Sequence, residues 1–338
     1  MSRVRVGVIG AGAWGKNHVR TAATSADAEL VAVCDSNPAT RAALARQYPA
    51  VEFTDSVKDL LGKVEAVIVA TPAKTHADVG TQAIEAGIPA LIEKPFALTV
   101  ADAERLGELA ARRGVPLLVG HLLEYHPVVE RLRTLMTDQT LGEIYYLYAQ
   151  RVNLGQIRPD ENALWSFGPH DVSVALFLLG EGPATVAAQG HSYLQRGIED
   201  VVFLTMTFAS GIMANVQMSW LDPHKERRLT VVGSRQMAVF DDMAPREKLR
   251  IYDKGVNRPP EYKSYGESLT IREGDIFIPR LPNAEPLTVQ FQHFMQVVRG
   301  QQAPRADAAD GIRVVRVLDA ATRSLAQGGV PISVGGSQ

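Results

Sequence analysis

The chain reads as an α/β protein in two parts: an N-terminal doubly wound parallel sheet, then an α+β part built on a large, mostly antiparallel sheet. Three observations predict this. Over the first third, short apolar runs alternate with helical patterns, as in a parallel sheet wrapped by helices. After about residue 122, extended segments follow one another with no helix between them, which implies antiparallel pairing. A length of 338 residues also exceeds what a single hydrophobic core ordinarily serves. The expected division is 1–122 and 123–338, with the last helix a candidate to pack back on the first part.

Each element has its own signal. VRVGVIG (4–10) is a buried strand and a helix follows from about Trp14. ELVAVCD (29–35) is a second strand. NPATRAALARQY begins like a helix, with Asn37 as N-cap and Pro38 in the first turn. EAVIVATP (65–72), PALIEKP (89–95) and VPLLVGH (115–121) are further strands, and the helix between the first two of these stops at Gly87. In the second part a helix is expected over 127–136, a long aromatic strand in GEIYYLYAQRVN, and a helix in DVSVALFLLG ending at Gly180. ATVAAQGHSYL, DVVFLTMTFA, IMANVQMSW, RRLTVVGS and QMAVFDD are strands. The Pro-, Gly- and charge-rich stretch 254–286 is expected to be a long loop or arm, and helices close the chain near 287–299 and 307–327.

Composition narrows the function classes. Hydrophobic residues make up 46% of the chain and charged residues 21%, as in an ordinary folded protein. A net charge of −2 and the lack of a basic recognition helix argue against nucleic acid or an anionic membrane as partner. The one cysteine, Cys34, excludes an internal disulfide and disfavours a zinc cage; it is read as a small packing residue. MSRVRVGVIG has no long apolar leader segment, and no apolar run nears the roughly 20 residues that span a bilayer. The cytoplasm is therefore expected.

Gly10-Ala11-Gly12-Ala13-Trp14-Gly15 is a GxGxxG that directly follows a strand and opens a helix, the setting its chemistry needs. Gly10 permits the tight turn, Gly12 lets a pyrophosphate approach the backbone, and Gly15 lets helix and strand pack closely. The helix N-terminus adds unpaired N–H groups and a favourable dipole. Asp35, about 20 residues on, can accept both ribose hydroxyls and would repel a 2′-phosphate. These residues predict a Rossmann domain that binds NAD, with NADP as the less favoured alternative. Ser36, Thr71, Pro72, His76, Glu93 and Lys94 are further cofactor candidates at the same strand ends.

Lys94 follows a buried strand, where an unpaired ammonium is costly. Facing a nicotinamide, it would have a lowered pKa and could move a proton at a substrate hydroxyl. A surface ion pair with Glu93 or another acid is the competing reading, and position alone does not choose between them.

GVIGAGAWGKNH, VATPAKTH, EKP and GPHDVS together resemble the glucose-fructose oxidoreductase / inositol dehydrogenase / MocA family along nearly the whole chain. The resemblance implies dimers or tetramers built on the second sheet, metal-independent chemistry, proton transfer by Lys94 and a cis bond before Pro95. Family members carry Asp-x-x-x-His in the second part. Here His170 matches the histidine as a second catalytic residue, while Ser166 stands at the usual acid position and Ser173 at a later one. Asp171 lies about 100° round the helix from His170. A serine can orient an imidazole but cannot stabilise an imidazolium as an anion does.

GHLLEYHP, YYLYAQRVNLGQIRPDENALW and GPHDVSVALFLLG resemble the nucleotide-sugar branch of the family, which implies redox chemistry at a sugar carbon, C3 favoured. Arg151, Asn153 and Arg158 near a strand end suit a diphosphate; Trp165 offers a flat face to a sugar or base. Glu124, Tyr125 and Ser166 complete the substrate candidates. For each arginine and for Trp165 the plainer reading is a solvated strand end or a core ring. Free sugars or cyclitols are the alternative substrates, and a dinucleotide-binding sensor or assembly subunit without turnover is the alternative of another class. His76, His121 and His126 lack the acid or cysteine spacing of a metal site and are read as polar lining. His224, Lys225, Arg227 and Arg228 are either a contact for substrate anions or a solvated hairpin end.

Overall fold

A computed structural model describes residues 2–155, 157–257 and 270–335. It divides into two compact units, Met1–Tyr125 with Ala284–Arg316, and His126–Asn283 with Val317–Gln338.

The first unit holds, in chain order, β1 (Val4–Ile9), α1 (Gly15–Thr24), β2 (Ala28–Cys34), α2 (Pro38–Gln47), β3 (Glu52–Thr54), α3 (Val57–Leu61), β4 (Ala66–Val69), α4 (His76–Glu85), β5 (Ala90–Ile92), α5 (Val100–Arg113) and β6 (Leu117–Val119). The strands form one parallel sheet in the order β3-β2-β1-β4-β5-β6. Helices cover both faces, so β1, β4, β5 and β6 are buried almost without interruption, the pattern of parallel strands. Strand order reverses between β1 and β4, and the crevice outside the carboxyl ends of such strands is where open α/β sheets bind ligands. Asn37 caps α2 as expected, its Oδ1 accepting from the Ala39 N–H at 2.9 Å. Thr99 caps α5 in the same way, and Gly114, at φ +62°, ends it. A further helix from far along the chain, Pro286–Val298, sets Phe291, Phe294 and Met295 into the core with Val6, Val8 and Ile68.

The second unit holds α6 (Pro127–Thr137), β7 (Ile144–Val152), α7 (Ala163–Leu179), β8 (Pro183–His191), β9 (Val201–Phe208), β10 (Met213–Ser219), β11 (Glu226–Gly233), β12 (Met237–Asp241), β13 (Leu249–Asn257) and β14 (Thr270–Phe277). The late core helix of the first unit is α8; α9 (Ala308–Ala326) is shared between the units, and β15 (Ile332–Ser333) closes the sheet. Nine strands pair in the order β14-β13-β12-β11-β7-β10-β9-β8-β15, antiparallel except for β7 with β10. α7 packs on β7, β9 and β10, with α6 against α7. The opposite side of β7, β9 and β10 leaves Tyr146, Tyr148, Phe203 and Met213 exposed.

Two expectations are corrected. The helix read from Asp171 begins eight residues earlier, at Ala163, capped by Asn162 and running through Pro169. An interior proline costs a helix about 3 kcal/mol, which argues for a break in a lone sequence; burial of Leu164, Gly168 and Val172 along the same helix outweighs it. The stretch 254–286 is not simply a loop: β13 and β14 pair across it, while 258–269 lie outside the described residues. This edge hairpin has little apolar alternation to read. Its strands are joined by the backbone ladder, with charge pairs facing across them, Lys254 with Glu273 and Arg272 with Asp253, each at 3.2 Å.

Candidate active site

The carboxyl edge of the parallel sheet gathers the candidates of the first unit. After β1 the chain turns at Gly10, whose φ is +87°; a Cβ there would lie 2.6 Å from the Thr71 backbone nitrogen. A Cβ on Gly15 would meet the Gly10 carbonyl oxygen at 2.0 Å. Both glycines are therefore demanded by packing, as the fingerprint requires. Gly12 differs: a Cβ there meets nothing within 4 Å. The space over Gly12 is open, in front of the N-terminus of α1, where a pyrophosphate fits. Ala13 and Trp14 are exposed on this turn, and Ser36 is exposed just beyond β2. Asp35 accepts from the Ala11 N–H through Oδ2 (2.7 Å) and from the Asn37 N–H through Oδ1 (2.8 Å). It thus ties the glycine turn to the end of β2, with a carboxylate where a ribose would sit. The donor set and the open turn fit a dinucleotide.

Thr71 and Pro72 follow β4. His76, the first residue of α4, is buried, with Nδ1 2.8 Å from the Pro95 carbonyl and Nε2 2.9 Å from that of Thr71. The ring lies between the loop after β4 and the loop after β5 rather than facing outward, donating to one of these carbonyls when neutral and to both only when protonated. Burial pushes the imidazole below its ordinary pKa, against the pull of the two carbonyls. Lys94 follows β5, and its peptide bond to Pro95 is cis. Glu93 is 6% exposed. Its Oε1 accepts from Trp14 Nε1 (2.7 Å) and His18 Nε2 (2.8 Å), and its Oε2 from the Lys94 N–H (3.0 Å). Burial by itself would raise the Glu93 carboxyl; the His18 and Trp14 donors and the neighbouring Lys94 charge outweigh it and hold the group below its usual range. The Glu93 carboxylate is turned inward rather than held on the surface.

Two substrate candidates are also interior. Glu124 and Tyr125 are 3% and 1% exposed. The Glu124 carbonyl accepts from Arg305 Nη1 at 3.0 Å, and the same guanidinium lies 4.9 Å from the Tyr125 ring centroid. Both therefore support the end of β6 rather than offering an open lining. His121, between them and β6, is buried with Nδ1 3.3 Å from Glu124 Oε1 but without hydrogen-bond geometry.

In the second unit, His170 is half-buried on α7, with Ser166 buried one turn before it. Ser173 Oγ donates to the His170 carbonyl at 3.0 Å, so this serine serves the helix backbone. Asp171 receives both arms of Arg151, Nε to Oδ2 at 2.6 Å and Nη2 to Oδ1 at 3.0 Å. The fork that would have suited a diphosphate is engaged inside the unit. Arg158 pairs with Glu161 at 3.0 Å, Trp165 donates through Nε1 to Thr322 Oγ1 at 3.1 Å, and the Asn153 N–H donates to the Ser219 carbonyl at 3.1 Å. Arg227 and Arg228 of the basic group face Asp242 and Asp241.

Comparison with known proteins decides the family. Residues 4–121 match the model described as "Oxidoreductase family, NAD-binding Rossmann fold", and residues 129–239 match the GFO/IDH/MocA C-terminal domain. The chain belongs to the GFO/IDH/MocA oxidoreductase family. It is 30% identical to the UDP-N-acetylglucosamine 3-dehydrogenase of Acidithiobacillus ferrooxidans over 95% of this chain and 96% of that one. A crystal structure of that enzyme aligns with a TM-score of 0.80, covering 96% of this chain and 98% of the other. An inositol 2-dehydrogenase of Rhizobium meliloti is 27% identical over 96% and 97% of the two chains. The WlbA dehydrogenase of Bordetella pertussis, crystallised with NADH and UDP-GlcNAcA, shares the fold at a TM-score of 0.80 and 23% identity, covering 99% of this chain and all of that one. As a GFO/IDH/MocA protein the chain carries an NAD-binding Rossmann domain, and the open turn over Gly12 with Asp35 behind it lies within that domain.

Sequence reasoning missed two features: His18 and the Arg151–Asp171 pair. The first had a local signal, since Trp14 and His18 stand four apart and share one helix face. The second joins a strand to a helix 20 residues apart, and nothing in the intervening chain announces it.

Proposed function

We propose that the chain is an NAD-dependent dehydrogenase acting on a sugar carbon, with C3 of a nucleotide-linked sugar as the favoured position. The observation that carries this is near full-length likeness to a UDP-N-acetylglucosamine 3-dehydrogenase, joined to a lysine at the end of β5 on the sheet edge that holds the glycine turn. Bound NAD supplies the hydride acceptor. The chain's own part is to bind, orient and move a proton: the amine of Lys94 takes the proton of the substrate hydroxyl as that carbon is oxidised, and returns it in reduction. His170 is the second proton-transfer candidate. Asp35 favours NAD over NADP by charge. The compartment that fits a free dinucleotide pool is the cytoplasm, and the open face of the nine-stranded sheet suits a homodimer or homotetramer.

The likeness to an inositol 2-dehydrogenase over nearly the same span supports a second reading, a free sugar or cyclitol as substrate. Thermal shift in the presence of NADH separates them, with UDP- and dTDP-sugars, inositols and free hexoses as ligands. A ligand at 100 times its Kd adds about 2.7 kcal/mol, so nucleotide sugars alone should raise the melting temperature. A shift with inositols alone transfers the assignment to the second reading. With the responding ligand, Lys94→Ala should lower kcat about 100-fold or more while NADH affinity holds; unchanged turnover removes Lys94 from the chemistry.

A further inference from the structure

Glu93 stands where a carboxylate would be expected to reach out to the cofactor, yet its side chain points into the unit. Trp14, His18 and the Lys94 amide occupy its two oxygens. An ionised carboxylate only accepts, so His18 must carry its proton on Nε2 to complete the set. The space for this arrangement is reserved by a residue on the next strand end: a Cβ on Gly120 would lie 2.9 Å from both the carboxyl carbon and Oε2 of Glu93, and 3.0 Å from its Cα. One buried group therefore touches the glycine turn, the helix that follows it, the peptide of Lys94 and the end of β6.

We propose that Glu93 is a positioning residue, a strut that sets the glycine turn and Lys94 in register before the dinucleotide arrives, and not itself a ligand of the cofactor. A carboxylate with three donors already satisfied would lose them on turning outward, and would leave the Trp14 and His18 donors without an acceptor. The glycine turn presents its backbone to the phosphates and Lys94 presents its amine to the reacting hydroxyl; Glu93 fixes the distance between these two by holding the backbone of one and the flanking indole of the other. The consequence falls on the chemical step, where a misplacement of about 1 Å costs on the order of 100-fold, and little on dinucleotide affinity, which rests on the open turn and Asp35. The inference rests on the dehydrogenase reading above for its kinetic effect but not for its geometry.

Three variants and one measurement on the unaltered protein test it. Glu93→Ala removes all three acceptor contacts, and kcat should fall by about 100-fold with KM for NAD within about three-fold of its normal value. Glu93→Gln keeps the shape and an acceptor for Trp14 and His18 but turns its NH2 on the Lys94 N–H, and should recover part of that loss. Gly120→Ala leaves every donor and acceptor in place but displaces the carboxylate, and should lower kcat in the same sense. If instead Glu93→Gln and Glu93→Ala raise KM for NAD equally and spare kcat, Glu93 is a cofactor ligand and the proposal is wrong. Should the alanine variants not fold, proton exchange of the Trp14 indole N–H in the cofactor-free native protein decides: slowing of about ten-fold or more relative to a free indole supports the strut, and free exchange overturns it. Because this last reading needs no substrate, it stands or falls separately from the outcome of Lys94→Ala.

Discussion

Asp35 does two things with one carboxylate. It holds the N–H groups of Ala11 and Asn37, which fixes the turn against β2, and in the proposed function it places negative charge where an adenosine ribose would lie. Beside it, Arg41 donates through Nη1 to the Asp35 carbonyl at 2.6 Å and lies 3.4 Å from Asp55, so a cation waits behind the acid. Replacing Asp35 with serine should shift the ratio of kcat/KM for NAD over NADP by about ten-fold or more towards NADP, since like-charge repulsion of the 2′-phosphate is removed and Arg41 remains. An unaltered ratio, measured with both dinucleotides under the same conditions, would assign discrimination to other groups. The neighbouring Cys34 takes no part: burial, with Asp35 nearby, pushes its thiol up to about 11, and a protonated thiol is a poor nucleophile. At this scale the positions of the turn glycines, Asp35 and Lys94 at the strand ends are legible, because strand ends and tight turns leave a local signal in residue type and short spacing. The inward course of Glu93 is not, because its partners come from two other strand ends and a helix.

Among the elements, α7 carries the most information about how the second unit is set. Its N-cap, its interior Pro169 and its terminal Gly180 at φ +72° are local features, but its seating on β7 is fixed by the bidentate Arg151–Asp171 pair. The side chains of that pair are 11% and 9% exposed. Burial opposes the charge of Arg151, and the Asp171 carboxylate more than restores it. Arg151→Ala should therefore cost about 3–5 kcal/mol in denaturant unfolding, because it strands the Asp171 charge, whereas replacing both with apolar residues of similar volume should recover most of that. A single-variant loss below about 1 kcal/mol would show that the pair is solvated in solution. His170 is the residue before Asp171, so the same lock fixes the turn of helix that presents the second proton-transfer candidate. The hairpin of β13 and β14 makes the opposite case. Its 254–286 part looks, in one dimension, like a polar linker, because charges facing one another across an edge leave no apolar alternation to read.

For the molecule as a whole, β7, β9 and β10 of the nine-stranded sheet pack one side under α7 and leave the other with stacked Tyr146 and Tyr148 beside Met213 and Phe203. An apolar, aromatic sheet face on a protein with a small net charge is expected to be covered by a second copy. Sedimentation should give two or four times the mass of one chain, and Tyr146→Arg combined with Phe203→Arg should return it to one; a monomer at micromolar concentration would end that expectation. Some of this protein was determined by sequence alone: the parallel sheet, the dinucleotide turn, the run of antiparallel strands and the lysine at the end of β5. All of these follow from residue type and periodicity within a few neighbours. Folding decided the rest. It recruited α8 from beyond the second sheet into the first core, turned Glu93 inward and spent Arg151 on Asp171. Each of these is a contact between residues distant in the chain, and the free energy of burying a charge or an aromatic ring depends on partners that only the folded chain brings together.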